Sequence, residues 1–324
     1  MYICDCEKVR IQGVKIVRSA CYTLMFERCR DIMLSHVSVR AGQDGFRFTD
    51  CHCIKIDHCD VRSGDDCMSG SGNCDVGITD TMLNTPGDAT MLFSCVGLRM
   101  KRSRIWSACE YPAVFQDTKR YSLCHTALVH GYESSTCGPN FSDDWLIEDT
   151  VFENVQGVYR FENIIHGRKA VPARRVVFNR VHAVNMVEPI LIAGDPDGAL
   201  SLEIRHSTFH FAREDADCTG LFLDADAFDA ITLEDVRLRG CCDQPLRCRN
   251  GASLTVRDVV VEKDLHAGQV CADAVPEVLT ETTAPTTLHT RFAVPGSTSQ
   301  VYPKDATEEF RGPLPYIPHD CSSL

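Results

Sequence analysis

The sequence has no run of about 18 uninterrupted apolar residues, the length that a membrane-spanning helix requires. It also lacks an excess of basic residues, because 33 Lys and Arg stand against 45 Asp and Glu, for a formal net charge of −12. Proteins that bind nucleic acid through its phosphates are more often basic. The composition therefore indicates neither a membrane nor a nucleic-acid partner.

Several motifs of other chemistries are also missing. The sequence has no G-x-x-x-x-G-K-[ST], no G-x-G-x-x-G after a strand pattern and no H-E-x-x-H, so phosphate-loop, dinucleotide and zinc-protease sites are not indicated. The absence of G-x-S-x-G argues against an α/β-hydrolase. Amphipathic helical patterns are rare, which argues against a doubly wound α/β fold. We expect no cofactor and no bound metal.

Cysteine is the residue present in excess, with 19 among 324 residues. Small disulfide scaffolds are much shorter chains, and no two cysteines have the C-x-x-C spacing of zinc or redox sites. We interpret most of them as reduced, buried residues that behave as small apolar side chains. The N-terminal MYICDCEKVRIQG shows no secretory signal pattern. We therefore expect a cytoplasmic location, although a truncated secreted chain would share these features.

An internal repeat is the main indication of the fold. Four cysteines lie 22, 23 and 21 residues apart, at Cys29, Cys51, Cys74 and Cys95. The strand pattern Ile32-Met33-Leu34 returns as Ile54-Lys55-Ile56 and then as Gly77-Ile78-Thr79. A period in the low twenties with several short strands is typical of a parallel β-helix, in which each repeat forms one rung. We predict an all-β, single-stranded, right-handed parallel β-helix of about ten rungs over residues 1–265.

The two ends of the chain depart from the repeat. From about His266 the sequence becomes rich in Thr and Pro, and we predict that residues 266–324 form an extended tail, packed on the helix or partly disordered. At the other end the repeat begins close to Met1. Because open strand edges invite pairing, the cap is missing, supplied by another chain or replaced by a partner. A homo-oligomer is one such arrangement.

A second periodic feature is acidic. Asp44, Asp66 and Asp88 follow one another at intervals of 22 residues, and Asp65 adjoins the middle one. Rungs stack about 4.8 Å apart, so these carboxylates should converge on one face. Like charges so close together should raise at least one pKa. One protonated acid beside one ionised base is the arrangement used in inverting glycoside hydrolysis, whereas a solvated acidic ladder or a calcium site is the structural alternative.

At these residues the stretch DGFRFTDCHCIKIDHCDVRSGDDC resembles the polygalacturonase-type glycoside hydrolases of family 28. Members of this family are right-handed parallel β-helices that hydrolyse galacturonan and related pectic chains with inversion, and their motifs are N-T-D, G-D-D, G-H-G and R-I-K. The resemblance implies that Asp65 is the general acid. It also implies that Asp44 and Asp66 orient and deprotonate the attacking water.

The sequence also departs from the family pattern. Only Gln43-Asp44 remains of N-T-D, Gly87-Asp88-Ala89 stands where G-H-G is expected, and residues 113–116 lack the basic pair of R-I-K. These differences favour a divergent member, not a standard endo-polygalacturonase. We expect it to act on a pectic or related uronic or plant polysaccharide or oligosaccharide.

Four residues are candidates for substrate binding: Asp88, Arg47, His58 and Trp106. Arg47 could replace the lost basic pair, and Trp106 could stack on a sugar face. His58 lies 22 residues after His36, so the two should stack. Two other functions stay open: a non-catalytic carbohydrate-binding or assembly β-helix, and a polysaccharide lyase or epimerase, which usually needs calcium and a basic residue.

Overall fold

The computed structural model describes most of the chain through residue 262 and three short strands beyond it. The described residues are 1–19, 21–107, 123–130, 135, 137–165, 168–194, 200–212, 215, 217–242, 244–262, 269–273, 277–281 and 287–289. They form strands and turns, with no helix in these ranges. Accordingly, no helix long and apolar enough to cross a membrane is found in them.

The strands are short in the first half of the chain and longer in the second. In chain order they are β1 (Tyr2–Cys4), β2 (Arg10–Gln12), β3 (Lys15–Ser19), β4 (Leu24–Glu27), β5 (Arg30–Ser35), β6 (Ser38–Ala41), β7 (Phe46–Thr49), β8 (His52–Asp57), β9 (Asp60–Ser63), β10 (Met68–Ser71), β11 (Asn73–Thr79), β12 (Met82–Asn84), β13 (Asp88–Leu92), β14 (Cys95–Lys101) and β15 (Arg104–Trp106). They continue as β16 (Cys124–Val129), β17 (Trp145–Glu148), β18 (Val151–Glu162), β19 (Ile164–Ile165), β20 (Arg168–Lys169), β21 (Arg175–Asn179), β22 (His182–Met186), β23 (Ile190–Ala193), β24 (Ser201–Phe211), β25 (Leu223–Arg239), β26 (Leu246–Glu262), β27 (Gln269–Asp273), β28 (Glu277–Glu281) and β29 (Thr287–His289).

Three strands make one rung, because each early strand pairs in parallel with the strand three places later. The first face contains β2, β5, β8, β11 and β14, and the second face contains β3, β6, β9, β12 and β15. The third face contains β1, β4, β7, β10, β13 and β16. Parallel crossovers of this kind are right-handed. The predicted right-handed parallel β-helix is confirmed.

Columns of apolar side chains fill the interior of the helix. Ile32, Ile54 and Val76 occupy one column on the first face, and the Phe26 and Phe48 rings stack at 5.1 Å below the third face. Complete burial of each such side chain contributes roughly 1.5–3 kcal/mol to stability. Successive strand residues point to opposite sides, so the residues between these positions face outward.

The four regularly spaced cysteines, which should occupy equivalent positions in successive rungs, do so at three rungs and not at Cys74. Cys74 pairs with His52, whereas Asn73 occupies the column of Cys51 and Cys95. Asn73 is buried, donates a hydrogen bond to the Phe48 carbonyl at 2.9 Å and accepts one from the Cys51 N–H at 3.1 Å. The predicted alignment of Gly77-Ile78-Thr79 is displaced by the same single residue. A slip of one residue turns every side chain to the other side of the strand.

Half of the cysteines whose side chains the structure describes have the buried role that the sequence suggests. These sixteen cysteines are free thiols, and eight of them belong to the buried core. Burial raises the pKa of the Cys51 thiol to about 12. These residues therefore contribute to packing as small apolar side chains.

A regular turn joins the first face to the second. In four successive rungs it contains a residue with left-handed backbone: His36 (φ 55°), His58 (φ 50°), Asp80 (φ 48°) and Arg102 (φ 49°). Equivalent side chains contact one another, since the His36 and His58 rings are parallel at 5.1 Å and Arg102 binds Asp80 at 2.6 Å. The predicted stacking of the two histidines is confirmed.

The sequence also led to predictions about the two ends of the helix, namely a C-terminal tail and a covered first rung. Strands β27, β28 and β29 pair in parallel with β26 or with each other, and residues 290–324 lie outside the described part. The boundary at residue 265 and the tail over 266–324 stay predictions. At the other end Met1, Tyr2, Val14 and Val17 are exposed. Coverage of this end by another chain also stays a prediction.

Candidate active site

The acidic residues lie on the turns that join the second face to the third. Asp44 precedes β7, Asp65 and Asp66 lie between β9 and β10, and Asp88 opens β13. The Asp66 carbonyl accepts a hydrogen bond from the Gly45 N–H at 2.9 Å, and the next rung repeats this geometry when the Asp88 carbonyl accepts one at 3.2 Å. The structure thus stacks three aspartates in neighbouring rungs, as the 22-residue spacing predicts.

Three of these carboxylates form a compact cluster. One oxygen from each of Asp44, Asp65 and Asp66 lies within 4.8 Å of the others. This is closer than the roughly 6.5–9.5 Å that usually separates the two carboxyl groups of inverting enzymes. The reason is that the acids come from only two adjacent rungs. Because a hydrogen bond to water spans about 2.8 Å, two oxygens at this separation can hold the same water.

Burial and mutual repulsion keep protons on this cluster. Burial raises the pKa of Asp65 to about 8, with further contributions from the charges of Asp44 and Asp88. Burial also raises the pKa of Asp66 far above its usual range, helped by Asp65. Asp65 therefore carries a proton at neutral pH, as a general acid must.

Asp44 has the surroundings that best support a negative charge in this cluster. Burial raises its pKa, but the Ser69 hydroxyl donates a hydrogen bond to its Oδ2 at 2.6 Å and the Arg47 charge acts in the same favourable direction. The neighbours of Arg47 on β7 are core residues, so Arg47 itself faces outward. Its guanidinium lies 5.2 Å from the centre of the Tyr22 ring. Asp44 is therefore the best candidate for the ionised base.

The backbone of Asp65 is fixed by its neighbours. Its carbonyl accepts hydrogen bonds from the Ser63 hydroxyl at 2.9 Å and from the Thr85 hydroxyl. Gly87 packs directly against it, since a Cβ at position 87 would lie 2.9 Å from the Asp65 carbonyl carbon. Glycine at this position therefore permits the close approach of two rungs beside the acid.

The structure adds one residue to this site that the sequence did not indicate. His125, on β16, brings its Nδ1 to 2.9 Å from Oδ1 of Asp88. It is 37 residues away in sequence although it lies only one rung away, because the segment between β15 and β16 interrupts the period. The alternating pattern CHTALV was the signal that could have placed it on a strand.

Two predicted substrate-binding residues, His58 and Trp106, are not exposed beside the acid cluster. His58 lies on the turn between the first and second faces, across β9 from the acids, and its Nδ1 is 2.9 Å from Asp57 Oδ2. Trp106 is 7% exposed, and the guanidinium groups of Arg62 and Arg104 lie 5.7 and 4.7 Å from its ring. Their substrate contacts stay predictions. Residues 113–116, where the basic pair was sought, lie outside the described part.

Among the residues that the structure describes, two groups of side chains have ligand atoms close enough to hold a cation. One is the cluster of Asp44, Asp65 and Asp66, and the other consists of Asp57, His58 and Asp80. In the second group Asp80 already forms an ion pair with Arg102. Oxygen-rich groups of this kind suit calcium, so calcium dependence belongs in any test of the function.

The fold is thus a parallel β-helix that carries a cluster of carboxylates where the second face joins the third. Residues 1–87 match the family model of Glycosyl hydrolases family 28. The resemblance seen in the aspartate motifs is thereby confirmed: over this region the chain is similar to the polygalacturonase-like proteins of family 28. No curated protein matches the chain.

Solved structures are similar to this chain over most of its length, at low identity. One is the catalytic domain of a GH87 alpha-1,3-glucanase in complex with nigerose, with a TM-score of 0.43, 9% identity, and coverage of 88% of this chain and 55% of that one. Another is a Yersinia enterocolitica family 28 exopolygalacturonase, with a TM-score of 0.36, 12% identity, and coverage of 85% and 42%. The chain thus spans about half the length of these structures.

Proposed function

We propose that this chain hydrolyses glycosidic bonds of a pectic or related uronic polysaccharide or oligosaccharide by an inverting acid–base mechanism. The observation that carries acid–base hydrolysis is the cluster of three carboxylate oxygens within 4.8 Å, together with the pKa of Asp65 of about 8. Inversion rests on the resemblance of the aspartate motifs to family 28, since the oxygens lie closer together than is usual for inverting enzymes. The family match over residues 1–87 supports the class of reaction.

Each acid has a distinct part in the reaction. Protonated Asp65 gives its proton to the glycosidic oxygen as the bond from this oxygen to the anomeric carbon breaks. Asp44 takes a proton from a water that Asp66 helps to orient, and the oxygen of this water attacks the anomeric carbon from the opposite side of the sugar. One water is consumed, and the configuration of the anomeric carbon is inverted.

Arg47 supports a uronic substrate. It lies beside Asp44 on the outward side of β7, and its charge acts on that carboxylate. A guanidinium binds a carboxylate through charge-assisted, bidentate hydrogen bonds. Arg47 is therefore the basic residue that we propose to contact a sugar carboxylate.

The test is hydrolysis of a panel of polygalacturonate, rhamnogalacturonan and uronic oligosaccharides by the purified chain, followed through new reducing ends. Asp65→Asn and Asp44→Asn should each lower kcat by about 100- to 10,000-fold, since each removes an acid–base group. Asp80→Asn is the matched control, because Asp80 lies on the other turn and should leave activity unchanged. NMR of the first product should show the inverted anomer.

Each other outcome has a clear meaning. Full activity of Asp65→Asn contradicts its assignment as the acid, and a retained anomer contradicts inversion. Calcium dependence with an ultraviolet-absorbing double bond in the product identifies a lyase instead of a hydrolase. Binding of the oligosaccharides without cleavage identifies a binding protein.

A further inference from the structure

A groove lies on the outward side of the first face, away from the acid cluster. It has a volume of about 380 Å³, which is within the roughly 300–1,000 Å³ of small-molecule sites. Strands β14, β17, β21 and β24 form it, and they pair in parallel in this order. Because the acids lie on the turns between the second and third faces, the groove is a separate feature of the molecule.

Apolar side chains form the floor of the groove. Leu146 on β17 and Val177 on β21 are partners in the parallel register, and both point outward because their neighbours along each strand belong to the core. Val177 is nevertheless only 6% exposed, so the floor is recessed between longer side chains. The same column continues to Arg99 on one side and to Glu203 on the other, and a polar group therefore closes each end of the floor.

Ion pairs form the walls of the groove. Arg175 lies between two acids, with its Nη1 3.4 Å from Asp144 Oδ1 and its Nη2 3.2 Å from Glu203 Oε1. Arg99 also binds Asp144, and Arg205 Nη2 lies 2.7 Å from Glu203 Oε2. About half of each arginine side chain is exposed to water. Ion pairs as exposed as these contribute little to stability, so a ligand can rearrange them at small cost.

The chemistry of the groove suits a neutral saccharide better than a charged one. The arginines in the walls are already paired with acids, so a ligand carboxylate would have to displace a group of like charge. A sugar hydroxyl both donates and accepts hydrogen bonds, so it can bridge a guanidinium N–H and a carboxylate without changing the charge balance. The C–H side of a sugar ring is apolar and fits the floor of Leu146 and Val177.

The repeat of the fold also suits a chain of sugars. Neighbouring rungs lie about 4.8 Å apart, which is close to the length of one sugar unit in an extended saccharide. A saccharide along the helix axis would thus meet one position of the outward column at each unit: Arg99, Leu146, Val177 and Glu203. An extended polypeptide repeats at about 3.3 Å per residue and does not keep this register.

We propose that this groove binds a short stretch of a neutral saccharide chain, as an auxiliary site separate from the acid cluster. Leu146 and Val177 pack against a sugar ring, while Arg175 and Glu203 form hydrogen bonds with its hydroxyls. The inference goes beyond the hydrolysis proposed above, because the groove holds a neutral saccharide whether or not the acids cleave it.

Calorimetric titration with neutral tetrasaccharides from galactan, arabinan and glucan, and with tetragalacturonate as the charged comparison, tests the proposal. Leu146→Arg places a long charged side chain on the floor, and Glu203→Ala removes an acceptor from the wall. Each should weaken binding of the neutral saccharide by about tenfold. Thr255→Arg is the matched control and should leave binding unchanged, because Thr255 lies in the same outward column two rungs beyond Glu203.

NMR locates the binding site without reference to turnover. In a chain labelled at its methyl groups, the signals of Leu146 and Val177 should shift when the neutral saccharide is added. Asp65→Asn should show the same shifts, so the result stands even if no substrate on the panel is cleaved. A tenfold rise in ionic strength should not weaken binding, since the ligand carries no charge.

The outcomes that overturn the proposal are distinct. They are failure of every neutral saccharide to bind, shifts near the acids in place of shifts at the floor, and an equal loss of binding in Thr255→Arg. Tighter binding of tetragalacturonate than of the neutral saccharides also overturns it. If circular dichroism shows that Leu146→Arg does not fold, Glu203→Ala on the wall supplies the same test.

Discussion

Asp65→Asn should stabilise the fold at neutral pH while it removes the proposed activity. In the folded chain burial and neighbouring charges raise the pKa of Asp65 from its usual 3.8 to about 8. A group whose pKa is higher in the folded state contributes its full stability below the unfolded pKa and loses it as the pH rises towards the folded pKa. For Asp65 this window extends from about pH 4 to pH 8.

The expected magnitude follows from the width of that window. Each pH unit within it costs about 1.36 kcal/mol of unfolding free energy, so Asp65 destabilises the fold by about 2.7 kcal/mol between pH 5 and pH 7. Asparagine resembles the protonated acid in shape and does not ionise. The difference in unfolding free energy between variant and parent should therefore grow by about this amount from pH 5 to pH 7.

Urea unfolding at the two pH values, followed by tryptophan fluorescence, measures the effect. Trp106 and Trp145 are both buried in the β-helix, so the signal reports its loss. Asp80→Asn serves as control with the opposite sign, because the hydrogen bond from Arg102 lowers the pKa of Asp80 and that variant should be less stable at pH 7. An Asp65→Asn variant with the same pH dependence as the parent would show that Asp65 is ionised in the fold, and this would refute its role as acid.

Three further predictions concern other parts of the fold. Burial lowers the pKa of His130 to about 3, and its ring has no hydrogen-bond partner among the described residues. The contribution of His130 to stability should therefore fall as the pH drops below about 6.5, so His130→Phe should gain unfolding free energy relative to the parent from pH 7 to pH 5 in urea unfolding. Gly87→Ala should lower kcat with circular dichroism unchanged, because its Cβ would lie 2.9 Å from the Asp65 backbone. Burial raises the pKa of Cys51 to about 12, so it should resist a thiol reagent at pH 8 while exposed Cys53 reacts, as labelled peptides would show by mass spectrometry.

The acid ladder could be predicted because its period equals the length of one rung. Asp44, Asp66 and Asp88 keep an interval of 22 residues, and the structure places them on equivalent turns. The same method failed at Cys74, where an interval of 23 placed the residue one position from its true column. Periodicity alone does not fix strand register to a single residue, and the alternation of side chains makes that residue decisive.

His125 shows where periodicity stops being informative. Its partner Asp88 lies 37 residues earlier, and the segment between the two strands conceals the fact that they are neighbours. His58 shows the converse, since its spacing from His36 correctly predicted stacking but not that the pair lies on a different turn from the acids. A sequence repeat shows which residues are equivalent in successive rungs. It does not show which of the turns of a rung carries a given residue, because that depends on where each strand begins and ends.

The parallel β-helix and the aspartates that stack in it could be inferred from the residues alone, because both depend on a local repeat that recurs along the chain. The proton-holding aspartates and the imidazole next to Asp88 became visible only in the folded chain. This is because a pKa depends on burial and on charges from other rungs. Asp65 becomes a candidate acid only when Asp44 and Asp88 are folded against it.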